Sequence, residues 1–266
     1  MIPKIIHFCW FSDEKYHTLI RKCIESWKNI LSDYEIKCWN YNSFNFNSLD
    51  FTKEAISVKQ YAAAADYVRL YALYTQGGIY LDSDVEVFKK FDDLLNNVFF
   101  TGIEQSGTND NFGFRIEAGI MGCIPNQPFI KECMEYYENN HFIHQNGDYD
   151  NLTTIAPEIY TRVFERYGFQ RINQEQILSE GIHIYPRNMI ANGDYVYNYN
   201  NIEYSNLYAI HHNMNSWSIT RGRRGWLYEY CYKHNLMDKY RKLESIRVFI
   251  KKETTQNNDT QDNATT

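Results

Sequence analysis

Residues 77–87 read GGIYLDSDVEV, and the fold of the chain is decided there. The pair Gly77-Gly78 supplies a stop, because glycine is the usual residue just past the end of a helix. A short apolar run follows, and Asp82 and Asp84 stand one residue apart where it breaks off. Read as one strand, the stretch places residues i and i+2 on the same side, so both carboxylates face one way. Two carboxylates at that spacing repel unless a cation lies between them. Hard cations take oxygen ligands, and Mg²⁺ commonly combines one or two carboxylates with substrate phosphates. In open α/β sheets ligands bind beyond the carboxyl ends of strands. The pair therefore reads as a metal site that holds a phosphorylated ligand, against the plainer reading of a polar turn.

Working outward, SVKQYAAAADYVRLYALYTQ (57–76) is alanine-rich and reads as one helix that runs into the glycine stop. KIIHFCWF (4–11) reads as a buried strand, residues 15–31 as a helix with one apolar face, and YEIKCWN (34–40) as a second strand. Strand, helix, strand within the first forty residues opens a mostly parallel α/β sheet. Further strands are expected at 98–104, 118–125, 181–186 and 206–213, with helices over 127–140 and 153–167. One or two helices are expected from Gly225 to Lys252. The last residues, ETTQNNDTQDNATT, carry no apolar pattern and read as a disordered polar tail. The domain expectation is one domain over 1–250 with a tail over 251–266.

Composition narrows the function. Hydrophobic residues make up 44% of the 266, enough for a globular core. Aromatics reach 17%, with 23 Tyr, side chains whose flat face and polar edge suit sugar rings and bases; an AT-rich genome is the bland explanation. The formal charge is −6 and no basic stripe exists, which argues against a nucleic-acid partner. The six cysteines form no C-x-x-C pair, so a zinc ribbon is not expected. No signal peptide and no run of about 20 apolar residues is visible, so the expected location is the cytoplasm or the inner face of the membrane, with reduced thiols.

AAAADYVRLYALYTQGGIYLDSDVEV (62–87) closely resembles the D-x-D region of glycosyltransferase family 32. Asp66, Arg69, Leu73, Gly77, Gly78, Tyr80, Asp82 and Asp84 fall at matching positions. IPKIIHFCWF (2–11) resembles the family's opening, and AIHHNMNSW (209–217) its closing A-x-H-H-x-x-x-S-W. The family includes capsule and lipopolysaccharide sugar transferases and, more distantly, the catalytic domains of the large clostridial glucosylating toxins. The resemblance implies a GT-A type nucleotide-sugar-binding fold, an α/β fold with helices flanking the central sheet. It also implies a divalent cation, Mn²⁺ or Mg²⁺, and a nucleotide diphosphate sugar as donor, UDP-linked. The reaction implied is transfer with retention to a saccharide or lipid-linked saccharide acceptor.

The same resemblance implies roles. Asp84 is expected as the most direct metal ligand, with Asp82 reaching metal and ribose. Asp66 and Arg69, three apart on one helix, would lie beside the donor sugar, the arginine forking onto hydroxyl or phosphate oxygens; a surface ion pair is the plainer reading. One histidine of His211-His212 would join the metal. Neighbours on a strand face opposite ways, so only one can, and His212 is preferred. Ser216 and Trp217 would close over the diphosphate. Trp10 would stack on the base, with Phe8 and Phe11 as core residues. Glu117 would lie near the anomeric carbon or bind acceptor. Arg221, Arg223 and Arg224 read as a solvated loop, against contact with an anionic acceptor or the membrane surface. A haloacid-dehalogenase-type phosphohydrolase also ends a strand in D-x-D, but DSDVE lacks its following Gly-Thr/Ser. The sequence is also compatible with a non-catalytic, metal-dependent carbohydrate-binding protein and with an effector that glycosylates host proteins.

Overall fold

The structure, a computed structural model, describes residues 1–104, 113–144, 155–192 and 206–213. Ser216, Trp217, the Arg221–Arg224 cluster, the C-terminal helices and the polar tail lie outside the described residues. Seven strands form the central sheet in the order β2-β1-β3-β6-β5-β8-β7, and three form a smaller sheet, β4-β10-β9. The strands of the large sheet are β1 (Ile5–Cys9), β2 (Glu35–Trp39), β3 (Gly78–Leu81), β5 (Phe99–Glu104), β6 (Arg115–Cys123), β7 (Gln176–Ile177) and β8 (Ile182–Ile184). The small sheet holds β4 (Val85–Val87), β9 (Ile190–Asn192) and β10 (Ala209–His211). Helices α1 (Thr18–Ile30), α2 (Asp50–Ser57), α3 (Tyr61–Gln76), α4 (Pro128–Glu138) and α5 (Ala156–Glu165) complete the α/β architecture expected of a GT-A type fold.

The class stands, but the sheet is mixed rather than mostly parallel. β1 runs parallel to β2 and β3, and β5 to β8. β6 runs antiparallel to both of its neighbours, β3 and β5. Every residue of β3, β5 and β6 is buried, so both faces of these strands are covered. α3 packs on β1 and β3 and against α2 and α4. Its buried Ala64, Ala65 and Ala72 are small enough to bring the helix close to its neighbours, with Val68, Leu70 and Leu73 filling the rest. None of the five described cysteines forms a disulfide. Among the described residues no helix is long and apolar enough to cross a membrane.

Two expectations are corrected. The helix expected over 57–76 begins at Tyr61, and residues 50–57 form a separate α2. The break is a Schellman motif: the Lys59 N–H donates to the Ile56 carbonyl at 3.0 Å and the Gln60 N–H to the Ala55 carbonyl at 2.8 Å. Lys59 takes the left-handed position, φ 59°, where glycine is usual, so no glycine announces the end. The strand expected over 79–87 is two strands in two sheets. Val85 N–H donates to the Asp82 carbonyl at 2.9 Å, closing a turn across Asp82-Ser83-Asp84. The chain turns there because Val85–Val87 leave the large sheet to pair with β10.

Gly78 is where this topology tolerates least. Its φ is +100°, and a Cβ built on it would lie 2.7 Å from the Ile5 carbonyl oxygen of the adjacent strand. Gly168 has a similar φ of +106° with nothing within 4 Å. Gly168→Ala should therefore cost only the left-handed backbone, about 1–2 kcal/mol. Gly78→Ala should cost that plus about 1–3 kcal/mol of overpacking. Urea denaturation of the two variants measures the difference; equal losses would show that the contact with β1 relaxes freely.

Candidate active site

The site is built where four elements meet: α3, the carboxyl end of β3, a bulge in β6 and the end of β10. Arg69, on α3, is only 4% exposed. Its Nε donates to the Ala65 carbonyl at 3.3 Å and its Nη1 to the Ala118 carbonyl at 2.8 Å. Its Nη2 pairs with Asp66 Oδ1 at 2.8 Å and Asp82 Oδ1 at 3.3 Å. The guanidinium also lies over the Tyr80 ring, 4.8 Å from its centroid. An arginine engaged in this way holds the groups around it in place. Asp66 is fixed further from behind, where the Tyr160 hydroxyl donates to its main-chain carbonyl at 2.9 Å.

Residues 117–120 of β6 leave the ladder with β5, where the register shifts between Thr101 and Ile103. A bulge frees main-chain groups and re-aims side chains. Site residues take up those groups. The Thr101 hydroxyl bonds to the carbonyls of Glu117 and Ile120 at 2.6 and 2.7 Å. Arg69 binds the Ala118 carbonyl, and the Asp82 N–H donates to the Gly119 carbonyl at 2.8 Å. Glu117 Oε1 accepts the Gly119 N–H at 2.8 Å. The bulge and the D-x-D turn are thus stitched to each other through main-chain bonds.

Asp82 and Asp84 share a turn rather than a strand face, yet both point to one imidazole. Asp82 Oδ1 accepts the Tyr80 hydroxyl at 2.8 Å. His211 Nε2 lies 3.6 Å from Asp82 Oδ2 and 3.4 Å from Asp84 Oδ1. His211 Nδ1 lies 2.8 Å from Glu117 Oε1. His212, the histidine preferred from the sequence, faces elsewhere: its Nε2 lies 3.0 Å from Glu86 Oε2, and Lys22 Nζ reaches the same carboxylate at 2.8 Å. Nothing in the sequence told the two apart, because Ala209 and Ile210, on opposite faces of β10, are both buried.

Glu117, expected near the anomeric carbon or the acceptor, is fully buried. Trp10 follows β1 and is partly exposed; its Nε1–H donates to the Glu14 carbonyl at 3.2 Å and its ring meets Tyr16 edge-on at 4.8 Å. Phe8 and Phe11 are core residues, packed on Trp27 and Phe46. Gly119 went unnoticed in the sequence. A Cβ there would stand 2.5 Å from His211 Nδ1 and 2.9 Å from Asp82 Oδ2, so the missing side chain is what lets the ring reach its partners.

The electrostatics follow from burial and crowding. Burial raises the Asp66 carboxyl to about 7; Arg69 opposes the rise and Asp82 adds to it. For His211 burial works against the imidazolium, but Glu117 and Asp84 outweigh it and hold the ring charged well above the ordinary histidine value. The imidazolium thereby supplies a positive charge between the acids. Two carboxylates and an imidazole are donors that suit Mn²⁺ and, through the oxygens, Mg²⁺. Among the described residues no group of three His, Cys, Asp or Glu side chains is placed to hold a metal ion.

The chain is similar in part to known proteins. Residues 18–100 match a family model described as the glycosyltransferase sugar-binding region containing the DXD motif. The chain is 28% identical over 227 residues to an uncharacterized glycosyltransferase, L373, of Acanthamoeba polyphaga mimivirus, covering 82% of this chain and 84% of that one. It is 31% identical over 153 residues to inositol phosphoceramide mannosyltransferase 3 of Schizosaccharomyces pombe, covering 53% of this chain and 40% of that one. Among solved structures, a glycosyltransferase involved in glycosylation of the major capsid of PBCV-1 aligns over 81% of this chain and 95% of its own, at 14% identity and a TM-score of 0.44.

The Asp66 carboxyl makes a pH prediction. A group raised from 3.8 to about 7 on folding holds more proton in the folded state between those values, so its contribution to stability falls as pH rises through that window. In chelator, Asp66→Asn should gain stability relative to the parent as pH rises from 3.8 to about 7, with a constant gap above. Melting curves across pH measure it; a gap independent of pH would mean that Asp66 is ionised throughout.

Proposed function

We propose that the protein is a retaining, metal-dependent glycosyltransferase. It moves a hexose-type sugar from a nucleotide diphosphate sugar, UDP-linked, onto a saccharide or lipid-linked saccharide acceptor in surface polysaccharide synthesis. One observation carries the reading: Asp82, Asp84 and His211 converge from two sheets, beside the Asp66–Arg69 pair, within and next to the stretch that matches a DXD sugar-binding region. The mannosyltransferase name of the fission-yeast relative supports a hexose donor.

Asp82, Asp84 and His211 are the residues that would hold the cation. When bound, Mn²⁺ or Mg²⁺ supplies Lewis-acid neutralisation of the leaving diphosphate. Arg69 fixes Asp66 and Asp82 in place, and Asp66 accepts from hydroxyls of the donor sugar. Trp10 gives the base a stacking surface beyond the end of β1. Ser216 and Trp217 follow His211 closely in sequence and supply hydroxyl and indole donors to phosphate oxygens. As the bond between the anomeric carbon and the phosphate oxygen breaks, the acceptor hydroxyl adds on the same face and its proton passes to the departing phosphate oxygen. Retention by this route needs no protein nucleophile, and Glu117, the fully buried acid of the site, does not offer one.

A panel of sugar nucleotides with Mn²⁺, scored for donor hydrolysis and for transfer, tests the reading. EDTA should abolish turnover and Mn²⁺ restore it. Asp84→Ala should lose roughly 100-fold or more in kcat, the scale of removing one preorganised electrostatic group, with the melting temperature little changed. Turnover that survives exhaustive chelation overturns the proposal. Trp10→Ala should weaken UDP binding by roughly tenfold, as expected for loss of a stacked base, while the rate at saturating donor changes less. Unaltered UDP affinity would place the base elsewhere.

A further inference from the structure

We propose that Glu117 is a positioning residue: it accepts the Nδ1–H of His211 and so aims Nε2 of that ring at Asp82 and Asp84 as a cation ligand, in a space that Gly119 keeps open. The inference rests on the metal-dependent reading above and assigns Glu117 a task other than touching sugar or acceptor.

Three observations carry it. Glu117 Oε1 is 2.8 Å from His211 Nδ1, while the opposite nitrogen of the ring is the one facing the aspartates, at 3.4 and 3.6 Å. The ring is therefore held at one end and presented at the other. Glu117 itself cannot swing: it is fully buried, and the same Oε1 accepts the Gly119 N–H at 2.8 Å, inside the bulge of β6. Lastly, any side chain at 119 would overlap the ring, with a Cβ 2.5 Å from Nδ1 and 2.6 Å from Cε1. The EAG triplet at 117–119 thus provides an acceptor and a gap, both directed at one imidazole.

The chemistry favours this division of labour. In a neutral imidazole one nitrogen carries the proton and the other the lone pair, and the hydrogen bond made by one decides which. A carboxylate accepting from Nδ1 leaves the lone pair on Nε2 and makes it a stronger donor. Carboxylate partners of metal-bound histidines commonly act in this way, and losing them costs ~10–100-fold in metal affinity.

A double-mutant cycle on the full chain decides the matter, with Mn²⁺ affinity measured by electron paramagnetic resonance in the absence of any donor. Glu117→Ala should weaken Mn²⁺ binding by ~10–100-fold, as should His211→Ala. The double variant should bind no more weakly than His211→Ala alone, because Glu117 acts only through that ring. Glu117→Gln keeps an oxygen acceptor and should recover part of the loss. Should Glu117→Ala fail to fold, Gly119→Ala leaves Glu117 in place and displaces the ring, and should lose affinity to the same degree. Losses that add in the double variant, or parental affinity in Glu117→Ala, overturn the assignment while the parent still binds Mn²⁺. Failure of the parent itself to bind Mn²⁺ overturns the metal-dependent reading and the ligand role of His211 together, and is told apart by the parent alone.

Discussion

Everything in the site hangs on one buried guanidinium. Removing Arg69 from water would cost several kcal/mol if its donors were unmet. The fold meets them with two carboxylates, two main-chain carbonyls and the face of Tyr80. Those partners come from α3, the end of β3 and the bulge of β6, so the arginine can be satisfied only when the three are in register. Its removal would strand Asp66 and Asp82 as close acids with no cation between them, the strongly destabilising way to break a buried pair. The interaction that holds the fold at this corner is thus also the one that spaces the acids.

The charge inventory of the corner is the physical ground for the divalent cation we propose. Arg69 and charged His211 face Asp66, Asp82, Asp84 and Glu117, two positive groups against four acids. Asp66 relieves part of the excess by keeping its proton up to about 7. The imidazolium relieves another part by standing between the acids. A divalent cation held by Asp82, Asp84 and His211 would add positive charge in place of that proton, and the phosphates of a donor would balance it. Metal and donor are therefore expected to bind better together than apart.

Much of this was legible in residues 62–87, where an alanine-rich helix, a glycine pair and two aspartates follow in an order that few other folds fit. The α/β class was legible in the strand-helix-strand pattern of the first forty residues, and Asp66, Arg69, Asp82 and Asp84 were singled out through the resemblance carried by residues 62–87. What stayed hidden depended on partners far away in the chain. Lys59 ends α2 in a conformation that its side chain does not announce. The D-x-D segment reads as a strand because each half is one, and only the pairing of β4 with β10 shows that they lie in different sheets. Nothing local to Glu117 says that a bulge of β6 buries it. Gly119 has no side chain to notice, and its part is defined by the ring that occupies the gap.

The His211-His212 pair shows how one dipeptide serves both links. β10 pairs antiparallel with β4, setting His211 opposite Val85, next to Asp84. The His212 N–H donates to the Asp84 carbonyl at 3.1 Å, and the His212 ring turns the other way to Glu86, which Lys22 also binds. Trp27, fully buried on α1, donates its indole N–H to the Val85 carbonyl at 2.7 Å and holds β4 from that side. One histidine thus faces the acids while its neighbour ties the strand that carries it. Alternation forces this split: a strand edge that must both present a side chain and be anchored needs two consecutive residues able to bond on opposite faces. The small sheet exists to bring that edge, more than a hundred residues later in the chain, beside the turn where the aspartates lie.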